Sequence, residues 1–361
     1  MILAGERVSR APAGAGARPT SLRQRAGWLA AACACLAGAA LAGILVGPVR
    51  LDPGRVLLEL TGRLPLVHAH SGLPPQEAAI LWQLRLPRVV LGALVGATLA
   101  VAGAAYQGAF RNPLADPYLL GAAAGAGLGA TLVIAYGPRA TGWPVDPLPL
   151  AAFAGALAGV AAAYALGRSG GGRTATTLVL AGVTVTLFLT AVQTFVQQQR
   201  ADSLREVYAW ILGGLGTAGW DQVLLVLPYV AVSWAVLLAH RRLLDVLSVG
   251  DDEAASLGLR AARVRLWIVA AASLGTAAAV AASGLIAFVG IIVPHTVRLL
   301  VGSSYRLVVP LSLVVGAAFL ILADLLARTV MAPAEVPIGV VTAFFGAPFF
   351  AVVLRGSRRV S

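Results

Sequence analysis

Lysine is absent from these 361 residues; all 27 basic side chains are arginine. A phosphate-cradling loop of the GxxxxGK[ST] type requires a lysine, so any nucleotide must be bound by another polypeptide. Charge of either sign is scarce, at 12% of residues where a soluble domain carries about 25%. The two cysteines, Cys33 and Cys35, stand two apart in an apolar run. That spacing points them to different sides of a helix, which argues against a shared metal site or redox pair and for inert packing. No HExxH, paired-carboxylate or Cys/His ligand spacing occurs, so no catalytic residue and no metal site is assigned. An acidic pair, Asp251 and Asp252, opens toward the DDxxD pattern of diphosphate-binding membrane enzymes, but position 255 is Ala.

Apolar residues make up 59% of the chain, with several runs of 18 or more residues free of charge, the length a helix needs to cross about 30 Å of hydrocarbon. The expected fold is an all-α polytopic membrane bundle of about ten spans, near 27–47, 88–109, 118–137, 148–168, 174–197, 221–240, 263–283, 287–300, 307–327 and 338–355. The eighth and tenth contain Gly290, Pro294, Gly339, Gly346 and Pro348 and read as short, broken helices beside a pathway. Residues 1–26 read as a disordered basic tail, 27–355 as a single transmembrane domain with an acidic segment at 248–260, and 356–361 as a second tail. The run after Gly27 exceeds a signal-peptide core and no small-residue cleavage pattern follows closely, so it reads as an uncleaved first span.

The formal charge of +12 reports topology rather than nucleic acid. With the N-terminus in the cytoplasm, 18 of 27 arginines fall in cytoplasmic segments, which puts both termini inside. Small residues recur at packing intervals, Gly92 and Gly96, then Gly121, Gly125 and Gly129, then Gly155 and Gly159, as expected where close backbone approach joins helices in lipid. Intramembrane polar groups are few. Asp324 has Arg328 at i+4 as a local partner, and His295 reads as a satisfied helix-terminus histidine. One weak intramembrane acid favours an external motor over an ion-coupled secondary carrier, which stays as the alternative class.

Between the second and third spans lies RNPLADP (111–117), read as a rigid turn and flanked by Gln107, Gly108 and LLGAAAGAG. With LRLPR (84–88), SVGDDEAASLGL (248–259), VGIIVPHTVRLLVG (289–302), LADLLART (322–329) and AEVPIGVVTAFFGAPFF (334–350), the ordered set resembles the iron–siderophore, haem and cobalamin permease family of ABC importers. The basic tail and the loop from about 48 to 80 carry none of this resemblance.

The resemblance implies a type II importer subunit in the cell inner membrane, translocating ferric siderophore or, as alternatives, haem or cobalamin. It implies a homodimer or heterodimer of permeases, two ATPase subunits that bind the ATP and Mg, and a substrate-binding protein; this chain itself binds no cofactor. Carried over residue by residue, Asp251, Asp252, Glu253, Ala254, Ala255, Ser256, Leu257, Gly258 and Leu259 form the helix that couples to the ATPase. Arg85, Arg88 and Arg328 meet acidic residues of the binding protein, for which lipid anchoring by snorkelling is the plainer reading. Arg168, Gly170, Gly171, Gly172, Arg173, Thr174, Thr184 and Gln193 belong to the path and its gate, the three glycines being either a hinge or a passive linker. Gln107, Asn112, Pro113, Asp116, Pro117, Pro294, His295, Asp324, Glu335, Pro337, Gly339, Gly346 and Pro348 are carried as structural motif residues.

Overall fold

The computed structural model describes residues 22–63, 72–137, 146–169 and 175–357. Fourteen α-helices follow one another: α1 (Leu22–Leu45), α2 (Pro53–Gly62), α3 (Pro75–Ala79), α4 (Leu86–Phe110), α5 (Ala122–Tyr136), α6 (Pro147–Ser169), α7 (Ala175–Gln199), α8 (Leu204–Ile211), α9 (Trp220–Val249), α10 (Asp251–Ser256), α11 (Ala261–Ser283), α12 (Val289–Val301), α13 (Tyr305–Thr329) and α14 (Ile338–Ser357). A π-helical turn, Ile80–Arg85, leads into α4. No strand occurs among the described residues. Seven helices are long and apolar enough to cross a membrane, and α5, α12 and most of α14 add three shorter apolar helices.

The chain from α4 outward is organised by backbone-to-backbone approach. A β-carbon on Gly96 would collide with the Gly316 carbonyl of α13, and one on Gly103 with the backbone of Gly290 at the head of α12. In the α5–α6 pair Gly125 faces Gly155, Gly129 faces Ala151, and Gly121 faces Gly159, an antiparallel register that leaves no room for larger side chains. The glycine intervals read from the sequence are therefore the packing seams. α4 is buried almost throughout, from Leu91 to Phe110, with α9, α11, α12 and α13 around it.

Two non-helical segments enter the bundle. Gly121 sits opposite Gly159, ten residues inside the end of α6, so 111–121 climbs about 15 Å before α5 begins. From the other end, 284–288 descends from Ser283 to the start of α12 beside Gly103. RNPLADP, read from the sequence as a rigid turn, is thus a run of turns at the foot of a re-entrant climb. The expected breaks within the eighth and tenth spans are also relocated. Pro294 and Pro348 lie inside continuous helices, and the irregular backbone comes before α12, where Phe288 takes a left-handed φ of 71° with its ring against Gly346.

Candidate functional site

At one end of the bundle the chain turns back through α10. Its first turn holds Asp251, Asp252 and Glu253, carboxylates placed at the positive end of the helix dipole. It stops at Gly258, whose φ of 78° suits a residue without a β-carbon. Gly258 N–H donates to the Ala255 carbonyl and Leu259 N–H to that of Ala254, each at 2.9 Å, the paired bonds of a Schellman stop. Ala254 is fully buried and Leu259 packs on the core, so the inner face of α10 is fixed. Asp251 accepts from Arg265 at 2.7 Å and lies 3.9 Å from Arg111. The Arg265 hydrogen bond holds its carboxyl below the usual range despite some desolvation, with the charges of Arg265 and Arg111 adding to the effect. What remains outward is Asp252, Glu253, Ala255, Ser256 and Leu257, the last 73% exposed. No neighbouring atom of this chain comes within 4 Å of a β-carbon built on Gly258.

The base of this projection is braced by residues that the sequence reading passed over. Arg265, itself buried, also donates to the Ala109 carbonyl at 2.9 Å, tying α11 to the end of α4. Asp245, near the end of α9, accepts from Tyr305 N–H at 2.6 Å and from the Ser304 hydroxyl at 3.1 Å, capping α13. An acid near the end of one helix and a serine just before another were the available signals, but only the fold brings them together.

Along the bundle α7 and α14 present apolar faces. Leu180, Leu187, Phe188 and Phe195 on α7, and Phe344, Phe345 and Val352 on α14, are all more than half exposed. Thr184 belongs to the exposed side of α7, its hydroxyl donating to the Leu180 carbonyl at 3.0 Å. Gln193 does not: it is turned inward, donating to Thr131 at 3.2 Å and packing on Gly127. Arg168 lies at the end of α6 with its guanidinium 5.9 Å from the Tyr164 ring. Gly170, Gly171, Gly172, Arg173 and Thr174 lie outside the described residues.

The two re-entrant segments meet on one side chain. The Tyr118 hydroxyl donates to the Ile286 carbonyl at 3.0 Å and accepts from the Ile286 N–H at 3.1 Å, satisfying backbone groups that no helix serves. Asn112 and Asp116 each accept from the N–H two residues on, at Leu114 and Tyr118, forming consecutive turns around Pro113 and Pro117. Pro117 packs on Gly290, whose carbonyl accepts from Gln107 at 3.0 Å. His295 sets its ring edge-on to Phe349, and Gly339, just past Pro337, donates to the Leu212 carbonyl at 3.0 Å.

The arginines assigned to docking are placed otherwise than expected. Arg85 and Arg328 are about 95% buried. Arg85 donates to the carbonyls of Ile44, Leu45 and Val49, and Arg328 to that of Gly43, so both serve the unsatisfied C-terminal carbonyls of α1. Arg88 forks to Asp324 at 2.8 Å and to Glu335 at 2.8 Å, while Arg328 stands 3.4 Å from Asp324. The local pair read at i+4 exists, but the shorter partner of Asp324 comes from α4. The Arg88 hydrogen bonds hold the Glu335 carboxyl, in the connection before α14, below its ordinary range. Rim charges free to reach a partner are not what this geometry describes. Cys33 and Cys35 are free and exposed on α1 rather than packed.

The chain as a whole has known relatives. The model of the FecCD transport family matches residues 35–356. The chain belongs to that family. It is 44% identical over 284 residues to the cobalamin import system permease protein of Halobacterium salinarum, covering 79% of this chain and 75% of that one. Against the hemin transport system permease protein of Yersinia pestis identity is 39% over 284 residues, covering 75% and 81%. The iron(3+)-hydroxamate import permease of Bacillus subtilis is 41% identical over 281 residues, covering 78% and 72%. Among solved structures, an inward-facing transporter described as of the metal-chelate ABC type superposes with a TM-score of 0.80 at 27% identity, covering 92% of this chain and 99% of that one. This FecCD-family chain is accordingly a multi-pass membrane permease of the ABC importer kind.

Proposed function

We propose that the chain carries ferric siderophore or a related metal chelate across the cell inner membrane as one half of a permease dimer driven by two separate ATPases. The seven long and three shorter apolar helices are read as ten crossings, with both termini and α10 in the cytoplasm. The observation that carries the reading is α10: five outward residues on a firmly braced, acid-started helix, in a chain without the lysine of a nucleotide loop. Such a projection transmits motion, because its base is tied through Asp251 to α11 and α4 and its tip is free for a cleft on the ATPase. The exposed faces of α7 and α14 are assigned to the partner permease and the path, with Thr184 on it and Gln193 supporting it from behind.

Among the described residues the exposed faces of α7 and α14 are largely apolar, so selection is assigned to a substrate-binding protein. Its docking is assigned to the surface bearing Glu335, which Arg88 orients, with Arg85 and Arg328 acting from below as supports. Cobalamin and haem remain the alternatives within the same reading. The test is uptake into vesicles holding the permease, its ATPase and its binding protein, offered ferric hydroxamate, ferric citrate, haemin and cobalamin in parallel. ATP-dependent uptake of a ferric chelate is expected. Uptake driven by an ion gradient without the ATPase would replace the reading with that of a secondary carrier.

A further inference from the structure

α6 and α9 both lie on α11. Between them runs an apolar groove of about 440 Å³, walled by Leu157 and Ala161 of α6 and by Val232 and Val236 of α9, with Val269 and Leu274 of α11 as floor. About one turn beyond Leu157 and Val232, the Phe153 and Tyr229 rings meet between α6 and α9, their centroids 5.0 Å apart. Toward the α10 end the groove shares Tyr164, Leu266 and Val269 with a neighbouring recess, which is also lined by Gly167, Arg168, Leu178, Ala262 and Arg265.

We infer that this groove is a binding site for one anionic glycerophospholipid, with an acyl chain along the groove and the phosphate at Arg168. Length supports this. From Phe153 to Arg168 is about 22 Å of helix, close to the roughly 20–22 Å that one leaflet spans with its headgroup region.

Charge supplies the headgroup contact. Among the described residues no carboxylate forms an ion pair with Arg168, whose guanidinium lies 5.9 Å from the Tyr164 ring at the mouth. Arg263 stands one turn from Trp267 on α11, and Trp267, 58% exposed, lines the groove edge where an interfacial aromatic belongs. A basic recess joined to an apolar slot on the cytoplasmic side of a helix bundle takes a phospholipid by its phosphate and its tail together. The naming of the leaflet rests on the orientation proposed above; the site does not.

The test uses the full chain alone, incubated in vesicles of equal phosphatidylcholine and phosphatidylglycerol, extracted in mild detergent and examined by native mass spectrometry. One retained phosphatidylglycerol per chain is expected, favoured about five-fold over phosphatidylcholine for a single arginine contact. Arg168→Gln should equalise the two lipids while keeping the groove. Ala161→Trp, or Val232→Trp should the first fail to fold, fills the slot from its exposed rim and should reduce retention to the level of bulk lipid. Equal retention of both lipids by the unaltered chain, or undiminished preference in a folded groove-filling variant, overturns the site. So does a disulfide between two Ala161→Cys chains in a Cys33→Ser/Cys35→Ser background, which would place a second copy there. No transport is read, so failure here leaves the proposed function untouched.

Discussion

Arg85 does for α1 what a glycine stop does for a soluble helix. Its guanidinium gathers the carbonyls of Ile44 and Leu45, at the end of α1, and that of Val49 in the connection after it. Arg85→Met should lower stability in detergent by about 2–3 kcal/mol, the scale of charged hydrogen bonds lost from buried acceptors. Arg85→Lys should recover little, since a point charge does not reproduce a planar fork. Thermal melting of the three proteins checks this. At Gly258 two effects separate. Any β-carbon opposes a φ of 78°, so Gly258→Ala should cost about 1 kcal/mol and leave transport intact, whereas Gly258→Trp adds bulk to a tip that this chain leaves open. The Trp variant should reach the membrane yet fail to stimulate ATP hydrolysis or uptake. Full uptake by a normally assembled Trp variant would remove the coupling assignment. Asp251 gives a pH dependence. Its folded pKa is depressed, so its contribution is complete above the ordinary carboxylate value near 4 and disappears as pH falls through the folded value. Protection factors of the α10 amides, taken relative to the intrinsic exchange rate at each pH, should therefore be unchanged from pH 7 to about 5 and fall only in stronger acid.

At the scale of elements, the two re-entrant segments are joined by a single hydroxyl. Tyr118→Phe leaves one N–H and one C=O of Ile286 unserved and should destabilise the 284–288 segment by about 2 kcal/mol. Faster exchange confined to that segment and its neighbours is the signature; unaltered exchange would show that water replaces the hydroxyl. The spans themselves were legible because lipid demands long uncharged runs, and the seams at Gly96, Gly125 and Gly155 because lipid leaves small residues as the means of close approach. The climb from Arg111 to Gly121 was not legible. Prolines and asparagine mark a turn in any sequence, and only the partner at Ile286, 168 residues away, shows that this turn rises into the bundle. The arginines misled for a related reason. Positive residues placed against the inside bias read as surface charges, yet α1 ends in carbonyls that call for donors, and the Arg88 to Asp324 pairing spans 236 residues. The outward side of α10 was readable in part, since Asp252 and Glu253 are charges that stay in water, whereas the burial of Ala254 and the packing of Leu259 on the core follow only from the fold.

For the whole molecule, the distribution of arginine supports the proposed orientation, under which a reporter fused after Ser361 should be active only in the cytoplasm. Periplasmic activity would require either an odd number of crossings or the inverted orientation, and the second would also reverse the side assigned to α10. The burial of α4 has a further consequence, for biosynthesis. α4 is complete at Phe110, while α13, whose Gly316 backbone covers Gly96, begins only at Tyr305. At translation rates of about 5–20 residues per second the intervening roughly 200 residues take about 10–40 s. For that interval the most deeply enclosed helix of the finished protein is a newborn hairpin partner beside α1, its glycine seam bathed in lipid. The order of the chain thus leaves the centre of the molecule exposed to membrane quality control until the ribosome has nearly finished.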